Sequence, residues 1–106
     1  MTNKTRKQQI EEMLVEDPND PFLRYGLAME HISQGADEEA VRCLRDLIAL
    51  APDYVPAYMQ AGQALVRLAR PAEARALWLP GIDVARRKGD PHAAEEMQGM
   101  VAGLGD

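Results

Sequence analysis

The stretch Ala40–Gly62, AVRCLRDLIALAPDYVPAYMQAG, decides the fold. Ala40, Leu44, Leu47 and Ile48 recur at the spacing of one helical face, and Leu50 and Ala51 close that segment. Pro52 has no N–H to donate and its ring clashes with the preceding turn, so the helix ends before it. Asp53 stands where the cap of a second helix is wanted, and Pro56 is tolerated in that helix's first turn. The stretch recurs: an offset of 34 residues pairs Pro18 with Pro52, Ala28 with Gly62, Ala40 with Ala74, Leu44 with Trp78 and Ile48 with Ile82. The same offset backwards pairs Ile10 with Leu44 and Leu14 with Ile48. A period of this size signals stacked supersecondary units, each too small to bury its apolar side alone.

Working outward, the same punctuation divides the rest of the chain. Asp20-Pro21 and Asp90-Pro91 pair a capping residue with proline at the first helical position. Gly35 and Gly89 suit the left-handed residue that follows a helix. These signals predict helices from Asn3 or Lys4 to Glu16, over Pro21–Gln34, Asp37–Ala51, Tyr54–Leu68 and Pro71–Lys88, and from Asp90-Pro91 to about Ala102. Asp37 is expected to cap the third, with Glu38 and Glu39 at the positive end of its dipole. Pro80 falls inside the fifth helix and deprives the Ala76 carbonyl of its donor, so a kink or local break is expected there, with Gly81 loosening the backbone further. No proline closes the second period, because Arg86 stands in that place, so the C-terminal junction should be the less regular one.

Composition sets the class. The 106 residues, 46% hydrophobic and 27% charged, suit one domain or one short repeat array. With one Trp, three Tyr and one Phe, the core must be built from Leu, Ile, Val, Met and Ala. A formal net charge of −5 argues against nucleic acid or an anionic membrane as partner. MTNKTRKQQIEE carries no apolar signal region, no run is long enough to span a bilayer, and the lone Cys43 excludes an internal disulfide; a cytoplasmic setting is expected.

The residues at these offsets resemble the tetratricopeptide repeat family, in the form of a small bacterial-type repeat protein. That family alternates helix A and helix B over 34 residues. Residues 21–54 resemble one repeat, with Leu27-Ala28, Gly35, Ala40, Leu44, Leu47 and Pro52 at the pattern positions. Residues 55–88 resemble a second, with Tyr58, Ala61-Gly62, Leu65, Ala74, Trp78 and Gly81. Residues 1–20 resemble a lone helix B and linker, with Ile10, Met13, Leu14 and Pro18, and residues 89–106 a lone helix A capping the exposed end. Arg24, His31 and Ala69 depart from the pattern, Ala69 replacing the turn glycine. The resemblance implies an all-α, right-handed superhelical stack of antiparallel helix pairs.

It also implies that helix A residues not used in stacking line a concave groove: Phe22, Tyr25, Met29, Ile32 and Ser33 from the first repeat, and Met59, Gln60, Gln63, Val66 and Arg67 from the second. Such a face suits an apolar or amphipathic segment of a partner protein, with Arg67 and the glutamines orienting it. The alternative is a homo-oligomer that buries the same face, together with Met97, Met100 and Val101 of the last helix. Some family members clamp acidic C-terminal tails with Lys and Asn; Tyr25, Met29, Met59 and Gln63 occupy those positions here, so that activity is not carried over. No enzyme is indicated. His31 and Cys43 lack a third orienting group and a Gly-rich turn. The two histidines and one cysteine give no metal spacing, Asp37-Glu38-Glu39 and Glu95-Glu96 sit at helix starts, and no phosphate-binding loop occurs, so neither a metal nor a cofactor is expected.

Overall fold

A computed structural model describes residues 3–105. Within them six helices follow one another: α1 (Arg6–Glu16), α2 (Pro21–Ser33), α3 (Asp37–Leu50), α4 (Val55–Arg67), α5 (Pro71–Arg87) and α6 (Pro91–Gly103). Each packs chiefly against its neighbours in sequence, giving an elongated stack of 52 × 29 × 20 Å. A short period with tight turns dictates this shape, since each helix pair must find its apolar cover in the next.

The turns between α2 and α3, α4 and α5, and α5 and α6 share one closure. The amides of Ala36, Arg70 and Asp90 donate to the carbonyls of His31, Leu65 and Ala85, each at 2.8 Å. This six-to-one bond needs a left-handed residue just before its donor. Gly35 and Gly89 supply it at φ 73° and 74°, and Ala69 is held there at φ 59°. The missing turn glycine therefore changes the strain, about 1–2 kcal/mol for a residue with a Cβ, and not the geometry.

Asp20 and Asp90 cap α2 and α6 as expected. Asp37 and Asp53 do not cap: Ala36 and Tyr54 occupy those positions without a side-chain bond. Asp37 is the first residue of α3, where the helix dipole favours its charge without a capping bond, and its carboxylate is taken by Arg67. Asp53 stands 3.4 Å from Lys88 Nζ. The start of α1 is also later than expected, at Arg6. Thr5 and Gln8 form a capping box, Thr5 Oγ1 accepting from the Gln8 amide and Gln8 Oε1 from the Thr5 amide.

Pro80 does not break α5, which runs unbroken from Pro71 to Arg87. Pro80 and Ala76 both lie on the exposed side, where the carbonyl that proline leaves without a donor is open to solvent. With no proline at position 86, α5 continues to 17 residues where α3 has 14.

Two buried clusters hold the stack. Ala28, Leu44, Leu47, Ala57 and Ala61 join α2, α3 and α4. Tyr58, Leu65, Ala74, Trp78, Ile82, Ala94 and Met97 belong to the second, which joins α4, α5 and α6. Ile48 and Leu77 pack against both.

Charged groups tie the same helices at the rim. Glu73 accepts from Arg70 and from Arg45 of α3, while Arg70 also reaches Glu38. Hydrogen bonds from Arg70 first, then Arg45, hold the Glu73 carboxyl at about 2. A carboxyl depressed in the folded state adds stability above its unfolded value, and that stability is lost as pH falls towards the folded value. Wild type is therefore expected to exceed Glu73→Gln in Tm at pH 7. The difference should shrink between pH 5 and 2, as followed by thermal melts across that range. A difference that stays constant with pH would exclude this linkage.

Candidate functional site

The side of α4 that faces its neighbours is taken up by Ala57, Tyr58, Ala61, Gly62 and Leu65, all buried. Met59, Gln60, Gln63, Val66 and Arg67 follow helical spacing on the remaining stripe. On α2 only Ala28 is fully buried, and Phe22, Tyr25, Met29, Ile32 and Ser33 form the corresponding stripe.

Three contacts join these stripes to their surroundings. The Gln60 side chain of α4 lies close to the Tyr25 hydroxyl of α2, and the Tyr25 ring lies 5.5 Å from that of Tyr54. Burial, then the neighbouring Tyr54, pushes the Tyr25 hydroxyl up from its ordinary value, opposed by the nearby Gln60 side chain. Gln63 Nε2 approaches Met100 Sδ at 3.5 Å, which extends the face onto α6. Arg67 is held by Asp37 through Nε and Nη2, at 3.0–3.2 Å.

The predicted residues therefore differ in availability. Phe22 is 73% exposed and Val66 41%. Tyr25, Met29, Ile32, Met59, Gln60 and Gln63 are half-buried, and Ser33 turns its hydroxyl back to the Glu30 carbonyl. Arg67 is a positioned, already paired guanidinium, not a free cation.

One contribution was missed by treating α2 and α4 alone. Phe22, Tyr25 and Met29 also border a cleft of about 290 Å³ between α2 and α1, completed by Ile10 and Met13. Its signal in the sequence is the apolar spacing of Ile10 and Met13 on α1. Gly26 forms part of the lining, and a Cβ built there would sit 3.4 Å from Ile10 Cδ1.

Cys43 is half-buried, and its thiol is pushed up by burial first and by the Asp46 charge second. That moves it away from the thiolate that nucleophilic chemistry needs. Among the described residues no group of three His, Cys, Asp or Glu side chains converges to hold a metal ion. None of the described helices is long and apolar enough to cross a membrane.

Antiparallel helix pairs stacked on a 34-residue period, with small residues at the crossings, define an α-solenoid. A TPR repeat-containing protein of Pseudomonas aeruginosa is 30% identical over 88 residues, spanning 83% of this chain and 84% of that protein. The solution NMR structure of a tetratricopeptide repeat domain protein from Salinibacter ruber aligns with a TM-score of 0.78 and 34% identity, covering 83% of this chain and 89% of that one. The solution structure of a protein from Bordetella parapertussis shares the fold at a TM-score of 0.83 and 24% identity, covering 96% of this chain and 89% of that one. No family model matches the sequence. The chain belongs to the tetratricopeptide repeat family.

Proposed function

We propose that the chain is a non-catalytic protein-binding module. It holds an apolar or amphipathic segment of a partner protein across α2, α4 and α6, on Phe22, Tyr25, Met29, Ile32, Met59, Gln60, Gln63, Val66 and Arg67. The observation that carries this reading is the continuity of the face, with Tyr25 of α2 beside Gln60 of α4 and Gln63 of α4 reaching Met100 of α6 at 3.5 Å. The half-buried methionines Met29 and Met59 adapt their shape to an apolar ligand at little cost. The polar groups among them are already oriented, so less freedom is lost on binding. Membership of the repeat family supports a binding role over a catalytic one.

A photo-crosslinking amino acid at Met59 or Val66 is expected to capture a partner protein in cells of the source organism. The same group at Ala49, exposed on α3, should capture none. Equal capture at all three positions, or adducts only with the chain itself, would overturn the reading.

A further inference from the structure

The two ends of the stack are finished differently. The C-terminal end closes on α6, whose outward residues His92, Glu95, Glu96 and Gln98 are polar and exposed. The N-terminal end closes on α1, which buries only Ile10 and leaves Met13 49% exposed beside Phe22. The outer face of α1 carries Gln8, Glu11 and Glu12, with Lys4 beside them, so the exposed apolar surface at the cleft is confined to Met13 and Phe22. The cleft is large enough for aromatic side chains, since an apolar cavity of about 150 Å³ already accepts benzene.

The charges of α1 specify what covers it. Lys4, Arg6 and Lys7 lie at its N-terminal end, and Glu11, Glu12, Glu16 and Asp17 at its C-terminal end. The apolar cleft carries Arg6, 3.5 Å from Glu30 and 72% exposed, at one end, and the surface running on from it carries Glu12, paired with Lys4, together with Glu16 and Asp17 at the other. An antiparallel copy of α1 presents the complement at both ends, as a twofold axis requires. We propose that this surface is a homodimer interface. Two copies pair about a twofold axis with their α1 helices antiparallel, and Met13 and Phe22 of each pack into the cleft of the other.

Phe22, Tyr25 and Met29 border both this cleft and the face assigned to a partner protein, but Met59 belongs to the latter alone. Analytical ultracentrifugation of the full chain tests the pairing. A concentration-dependent dimer is expected, with Met13→Glu raising its dissociation constant at least ~30-fold and Met59→Glu leaving it unchanged. Arg6→Glu and Glu16→Arg should each be monomeric alone and form a heterodimer when mixed, because antiparallel pairing sets each altered charge against its opposite. Circular dichroism of each variant establishes that it is folded. A wild type that stays monomeric at millimolar concentration overturns the proposal. So does a dimer that Met59→Glu abolishes and Met13→Glu does not, or a mixture of the charge variants that stays monomeric.

Discussion

Gly62→Ala is expected to destabilise the chain by about 2–4 kcal/mol, although the same change inside an exposed helix gains about 1 kcal/mol. A Cβ at Gly62 would lie 2.1 Å from Trp78 Nε1 and 2.2 Å from Trp78 Cε2. Trp78 is 2% exposed, and its Nε1 donates to the Met59 carbonyl at 3.2 Å. The indole cannot yield by a small rotation without giving up that bond. Overpacking costs about 1–3 kcal/mol and a buried donor left unmet about 1–3 kcal/mol, against which the helix propensity of alanine recovers only about 1 kcal/mol. Gly99→Ala is the control, since a Cβ there meets nothing within 4 Å, and it should be stabilising. Urea denaturation of both variants decides the matter. If Gly62→Ala and Gly99→Ala shift the midpoint in the same direction, the Trp78–Gly62 packing is not as described.

The repeat explains why this pair exists. One period earlier the same two places hold Leu44 and Ala28, both buried in a single cluster. A leucine fits above an alanine, whereas the larger indole of Trp78 requires that the opposing Cβ be absent. Trp78→Leu in the Gly62→Ala background should therefore cost less than the sum of the two single changes, because it restores the combination found one period earlier.

Much of this architecture was legible because it rests on short-range chemistry repeated at one offset. Asp20-Pro21, Asp90-Pro91, Gly35 and Gly89 each act on the backbone within a turn of themselves, so their effects could be read locally. The failures share the opposite character. Asp37 and Asp53 look like caps in sequence, but Arg67 and Lys88 reach them from thirty or more residues away. Pro80 looks like a helix breaker in one dimension, and α5 passes through it unbroken on an exposed stripe, which depends on which side of α5 meets water. The face was legible as two stripes on α2 and α4. What their spacing could not reveal is that Tyr25 and Gln60 meet, that Arg67 is already paired, or that α1 adds Ile10 and Met13 beside Phe22. Those depend on how far neighbouring helices are rotated about their own axes, and periodicity leaves that rotation open.

Leu44→Ala should bring the other large loss, about 2–5 kcal/mol, from a chain whose total stability is on the order of 5–15 kcal/mol. Leu44 is fully buried in a cluster whose other buried members are Ala28, Leu47, Ala57 and Ala61, with Met29, Ile48 and Leu77 among the larger side chains packed around it. Three of the buried members are alanines on helices already in contact, with no side chain to swing into the space, so the cavity closes only in part. The Tm should fall by roughly 10–30 °C. Protection from hydrogen exchange should drop together in α2, α3 and α4, the helices that share the cluster. Ile10→Ala removes a buried residue too, but from the one helix that packs on a single side and buries nothing else. Its loss should be felt as faster exchange in α1 with little change in α3 to α5, because a quasi-one-dimensional stack opens from its weakest end. Equal exchange rates in α1 and α3 after Ile10→Ala would mean that the helices unfold as one unit. Leu44 would then owe its effect to size alone and not to its place in the stack.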